Sequence, residues 1–222
     1  MLVTGPFGHL HASKGDGHLL PSQPNFDTVA PYGNKYAEIL EKLVFPASSW
    51  TVRYFETIGN PPYDTGLTIY QKPNGSHWLM IRQARPEIGS IVVNAYYKRV
   101  DLQSSLAAVK IESSDRQVPP EIALEMRRLW LAFLQDVRPR DKRDDTVYIH
   151  PPTVILSAKD SKGVTLSGKY PLDAGKHRKF TAFEAIVDNL VKSCDAPDKD
   201  RIQLLRRAAK RARNLRESLD SR

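Results

Sequence analysis

Residues 163–170 read GVTLSGKY, which has the Gly-x4-Gly-Lys spacing of a phosphate-binding loop. In such a loop backbone amides cradle phosphates, the lysine neutralises them, and a following Ser or Thr holds magnesium. Here Tyr170 stands at the Ser/Thr position, and Pro171 disfavours the helix that should begin there. Val164, Thr165 and Leu166 prefer extended backbone, so the stretch is expected to be an edge strand after a turn. YDTG at 63–66 matches the Asp-Thr-Gly of aspartic proteases, in which two such aspartates share one proton. Only one copy is present and Pro61-Pro62 precedes it, so a turn is expected around Asp64.

His9, His11 and His18 lie in a Gly-rich stretch that offers no fixed backbone for a metal site, and His77, His150 and His177 are scattered. The single cysteine, Cys194, falls on the apolar stripe of a helix and is expected to be a small buried hydrophobe. Asp144 and Asp145 adjoin a basic linker, and adjacent strand residues point to opposite faces, a poor geometry for a carboxylate pair. There is no Gly-x-Ser-x-Gly elbow. No catalytic residue, metal site or cofactor is expected.

The elements that carry these residues follow from periodicity. Residues 1–33 form a loose lead-in rich in Gly, Pro, Ser and His. NKYAEILEKLVF from Asn34 spaces Tyr36, Ile39, Leu40 and Leu43 as a helix, which Pro46 stops. SWTVRYFETI (49–58) is a strand in which Thr51, Arg53 and Glu56 break the apolar run. Two strands flank Asn74-Gly75, a hairpin-turn pair. SIVVNAYYKRV and LAAVKIES read as further strands, which would make one antiparallel meander from 49 to 112. PPEIALEMRRLWLAFLQDV is a helix over 119–137 with Ile122, Met126, Leu129, Trp130, Phe133, Leu134 and Val137 on one face.

After the charged linker 138–145 come TVYIHPPTVILSA and GVTLSGKY, two strands around the turn KDSKG. Thr181 and Glu184 have capping-box spacing ahead of a helix that carries Phe183, Ile186, Val187, Leu190, Val191 and Cys194. The fold class is therefore α+β, an antiparallel sheet with helices packed on it. One domain is expected over 34–195, with a basic helix at 196–222.

From 201 onward, Leu205, Ala208, Ala212, Leu215 and Leu219 recur at intervals of three and four. Arg206, Arg207, Lys210, Arg211 and Arg213 occupy the opposite side, and Arg216 intrudes at the apolar edge. This is an amphipathic helix whose leucines dock and whose arginines face water or a partner. RPRDKR and KHRK (176–179) would extend the basic patch if the fold brought them near.

The order of a helix containing LW, a linker ending in Asp before VYIH, a strand pair around Gly and a short capped helix covers about 105–195. In this order the chain resembles small uncharacterised proteins of Gram-negative bacteria. The resemblance implies a bacterial α+β domain and carries over no chemistry.

Charge narrows the function classes. The chain of 222 residues is 41% hydrophobic and 26% charged, ordinary for a folded domain, with a formal net charge of +8. Residues 201–222 hold eight basic groups against two acidic ones, so the remainder is nearly neutral. The opening residues lack a basic n-region and an apolar run of secretory length, which suits a cytoplasmic protein. The expected function is a non-catalytic, protein-binding domain, an inhibitor or accessory factor. The alternatives are a nucleic-acid-binding accessory protein using Arg206, Arg207, Lys210, Arg211 and Arg213, or an enzyme of unrecognised type.

Overall fold

WTVRYFETIG, rich in β-branched and aromatic residues, becomes the middle strand of a sheet that carries helices on both faces. A computed structural model describes residues 19–21, 33–59, 62–138, 153–171 and 177–220. In chain order the elements are β1 (Leu20–Pro21), α1 (Gly33–Leu43), β2 (Trp50–Gly59), β3 (Pro62–Gln71), β4 (His77–Arg85), α2 (Ile88–Lys98) and α3 (Leu102–Leu106). There follow β5 (Lys110–Val118), α4 (Pro120–Leu134), β6 (Thr153–Lys159), β7 (Thr165–Pro171), α5 (Arg178–Asp195) and α6 (Asp198–Asp220). The strands lie in the order β1-β7-β6-β2-β3-β4-β5, and every neighbouring pair is antiparallel. The architecture is α+β.

The period of two along each strand sorts side chains onto two cores. Val52 and Tyr54 of β2, Leu67 and Ile69 of β3, Leu79 and Ile81 of β4, and Val154 and Leu156 of β6 face one side. They meet Met126, Leu129, Trp130 and Phe133 of α4 and Phe180, Phe183, Ile186 and Leu190 of α5. Phe55, Ala84 and Ile155 face the other side, where Tyr36, Ile39 and Leu40 of α1 and Ile88 and Val92 of α2 cover them. On that side β3 approaches α1 so closely that a Cβ at Gly66 would collide with Val44.

Local chemistry accounts for the β3–β4 and β6–β7 turns. Gly75 takes φ +81° after Asn74, whose side chain accepts from the Ser76 amide at 3.1 Å. Gly163 takes φ +80° in the turn where Asp160 Oδ1 accepts from the Lys162 and Val164 amides, both at 2.8 Å.

Several expectations are corrected. SIVVNAYYKRV is helical, in α2: Ile88, Val92 and Ala95 are its buried residues, a spacing of four and three that belongs to a helix. Its β-branched residues favour a strand intrinsically, but burial of that stripe on the sheet overrides propensity. LAAVKIES is split, because Leu102–Leu106 is the short helix α3, N-capped by Asp101, and β5 starts only at Lys110. The meander therefore runs through β2, β3 and β4, and two helices intervene before β5 completes the edge.

Thr181 and Glu184 do not cap α5, which begins at Arg178 with His177 at its N-cap. Within the lead-in, Leu19 is fully buried in the first core, its neighbours Leu20 and Pro21 pair with β7, and Arg138 donates its amide to the Leu19 carbonyl at 2.9 Å. Residues 139–152, including Asp144, Asp145 and His150, lie outside the described residues, as do His9, His11 and His18.

The amphipathic helix expected at the end of the chain is α6, with Asp198 and Asp200 in its first turn, where the helix dipole favours negative charge. It packs on α5 and α4, and Leu205, Ala208, Ala212 and Leu215 are buried in the first core. Arg216 reaches the same seam because Glu125 of α4, 4% exposed, needs a cation there; its Nε sits 3.2 Å from the carboxylate.

Trp130 joins the layers of the first core. It is fully buried, packs on Phe183 with ring centroids 4.6 Å apart, and donates its Nε1 hydrogen to the Arg53 carbonyl at 2.9 Å. Trp130→Ala is expected to cost about 3–5 kcal/mol in chemical denaturation, since it removes a large buried ring and its hydrogen bond to the Arg53 carbonyl. Melting like the parent would place Trp130 outside the core.

Candidate functional site

Docking of its apolar stripe fixes which side of α6 faces solvent. Arg206, Arg207, Lys210, Arg211 and Arg213 are all exposed. Arg206, Lys210 and Arg213 fall at i, i+4 and i+7 and make one ridge, while Arg207 and Arg211 make a second beside it. The five span about 10 Å of helix. Like charges one turn apart repel by a few tenths of a kcal/mol each, and an anionic partner relieves that repulsion. Arg211 Nη1 reaches the Ala185 carbonyl of α5 at 3.4 Å.

Of KHRK, Lys176 lies outside the described residues, and Lys179 is 10% exposed and lies 2.9 Å from Asp136, which also holds Arg138 at 2.8 Å. Lys179, and after it Arg138, holds the Asp136 carboxyl below its ordinary range against the opposing effect of burial.

A second feature was not singled out from sequence. Where α5 lifts from the sheet, Tyr54, Glu56, Thr65, Gln83, Glu184, Val187, Asp188 and Val191 line a cleft of about 310 Å³. Glu56, Thr65 and Gln83 stand directly opposite one another across β2, β3 and β4, a polar row one step beyond the apolar row Tyr54, Leu67 and Ile81. Glu184 and Asp188, one turn apart on α5, supply the opposing wall. Glu56 accepts from the Tyr54 hydroxyl at 2.9 Å, and Asp188 pairs with Lys192 at 2.7 Å.

Among the described residues neither Glu56 nor Glu184 has a cationic partner. Burial pushes the Glu56 carboxyl up; burial and then the Glu56 charge push Glu184 up. Thr65 Oγ1 is buried without a hydrogen-bond partner, while the Tyr170 hydroxyl lies beside the Glu184 carboxylate and opposes the upward push of burial on it. The signal was present in the sequence. Glu56 shares the period-two face of Val52 and Tyr54, so a carboxylate had to enter the core side of the sheet.

The remaining motifs fall to structural roles. Thr165–Pro171 is strand β7, paired with β6 along its length and with the two residues of β1. Lys169 sits in that ladder, and no phosphate-binding loop forms around it. Cys194 is 1% exposed, and burial raises its thiol to about 11, far from a reactive thiolate. Among the described residues, no cluster of three His, Cys, Asp or Glu could hold a metal ion. Likewise, no helix is long and apolar enough to cross a membrane.

Neither a family model, nor a curated protein, nor a solved structure matches the chain.

Asp64 corrects the turn expected at YDTG, because it lies inside β3, opposite Thr57 and Ala84. It is fully buried; Oδ2 accepts from the Ile88 amide at 2.8 Å, which satisfies the first turn of α2, and Oδ1 has no hydrogen-bond partner. Burial outweighs that hydrogen bond and, with the charge of Glu87, raises the carboxyl to about 7. In the unfolded chain the same group loses its proton near pH ~4. Stability contributed by the neutral acid is complete below that pH and is lost as pH rises toward about 7. The parent should therefore lose up to about 4 kcal/mol relative to Asp64→Asn between those limits, read by denaturant unfolding at each pH. Parallel pH profiles for the two proteins would refute this assignment.

Proposed function

We propose that this chain is a bacterial protein-binding domain, an accessory factor or inhibitor that acts without catalysis by docking α6 on an acidic surface of a protein partner. The observation that carries this reading is the exposure of Arg206, Arg207, Lys210, Arg211 and Arg213 on a helix whose opposite side is packed into the core. A helix held in this way presents its cations from an ordered backbone, so binding pays for the side chains but not for folding the helix. Arginine is enriched in the energetically dominant parts of interfaces, where its planar fork matches carboxylates.

Phosphates offer the same charge, and nucleic acid is the competing partner. The protein reading is favoured because α6 carries no aromatic side chain on which a base could stack, and because the rest of the chain is nearly neutral.

One variant tests both. Changing Arg206, Arg207, Lys210, Arg211 and Arg213 together to Gln should alter stability by no more than about 0.5 kcal/mol, as exposed positions permit. In pull-downs from the native cell, the parent should retain a protein partner after nuclease treatment and the variant should not. Recovery of the parent that nuclease abolishes, with affinity for duplex or single strands falling steeply with salt, would replace the protein partner by nucleic acid.

A further inference from the structure

The cleft between β2–β3–β4 and α5 holds two carboxylates, Glu56 and Glu184, that have no cationic partner among the described residues. Two glutamates that enter a partly buried site from opposing walls, without a cation between them, raise each other's energy when both ionise. Water, a shared proton or a positively charged guest can each relieve such a pair. The rest of the lining favours the guest. Thr65 is 5% exposed and shares the cleft-facing row with Glu56 and Gln83, yet its Oγ1 has no hydrogen-bond partner. The residue lines the same space as the carboxylates, and its hydroxyl oxygen can accept a hydrogen bond there. Val187 and Val191 supply an aliphatic wall on α5.

We infer that this cleft binds a primary ammonium group borne on a short aliphatic chain. An ammonium has three N–H donors and no acceptor, and the site offers three matching acceptors in Glu56, Glu184 and Thr65. The aliphatic chain lies along Val187 and Val191. A space of about 310 Å³ suits a small guest of this kind. A bare metal ion fits less well, because among the described residues no three-ligand cluster is placed to hold one. The other titratable groups around the site are Tyr54, Tyr170 and Asp188, with Lys192 neutralising Asp188. The ammonium comes either from a free amine or from a lysine side chain, and the chemistry of the site is the same for both.

The test is carboxyl-detected NMR of the full chain at constant ionic strength, titrated with n-butylammonium, butyltrimethylammonium and n-butanol. The expected result is a saturable shift of the Glu56 and Glu184 signals with n-butylammonium, together with a downward move of their titration midpoints. Butyltrimethylammonium, which has the charge but no N–H, should bind at least about tenfold more weakly, and n-butanol should leave both signals in place. Thr65→Val, which preserves shape, should weaken n-butylammonium about tenfold, and Glu184→Gln should remove the saturable response while near-UV circular dichroism stays that of the parent.

A parallel titration with Nα-acetyl-lysine methylamide identifies the source. Saturation by it as well as by n-butylammonium assigns the site to a lysine side chain, and saturation by n-butylammonium alone assigns it to a free amine. A non-saturable response of the parent, or equal binding of butyltrimethylammonium, overturns the inference without need of any variant.

Discussion

Arg53 is the point on which both cores depend. Its side chain is 8% exposed and points toward α1, where it lies 2.6 Å from Glu41, donates to the Phe45 carbonyl at 3.2 Å, and packs over the rings of Trp50 and Phe45. Its carbonyl accepts from Trp130, the largest buried side chain of the opposite core. A buried guanidinium is costly unless its charge and donors are answered, and burial does lower its proton affinity here. Glu41, the Phe45 carbonyl and two aromatic faces answer the charge and the terminal nitrogens, while Nε stays without a hydrogen-bond partner. One residue of β2 thereby fixes α1 on one side of the sheet and α4 on the other.

From that tie the rest is hierarchical. Once α4 is held by Trp130, its other flank presents Glu125, and α6 must bring Arg216 to it while seating Leu205, Ala208, Ala212 and Leu215. The exposed arginine face follows from this seating. It is the residue set left over after the helix has satisfied a buried carboxylate and an apolar seam. The acidic cleft has the converse origin, a place where the sheet face turns polar before α5 has finished covering it.

The elements most readable from sequence were those whose own period decides them. α1, α4, α5 and α6 carry unambiguous helical stripes, and the Asn74-Gly75 and KDSKG turns announce the β3–β4 and β6–β7 strand pairs. α2 was not legible because a run with three consecutive β-branched residues, Ile91 to Val93, satisfies strand propensity locally. What decides it is distant: Asp64 of β3 supplies the missing cap, and the second core accepts Ile88, Val92 and Ala95. Leu19 was illegible for a similar reason, since among the described residues its order comes from distant partners: Val137, Arg138, β7 and the first core. The basic face could be located residue by residue. The cleft could not, because its walls come from four elements whose register no single segment encodes.

The ends of the strand order have a consequence for how copies of this chain meet. β5 lies at one rim of the sheet and carries Lys110, Glu112, Asp115 and Arg116, of both signs, along its nine residues. At the other rim β1 is only two residues long, and its second, Pro21, has no N–H to offer. An incoming strand would have to bury mixed charge at the first rim, and at the second it would meet a proline beside the two residues of β7 that β1 covers. An unpaired strand margin is a template for fibrous growth, and here mixed charge blunts the margin at β5 while Pro21 removes a donor from the margin at β1.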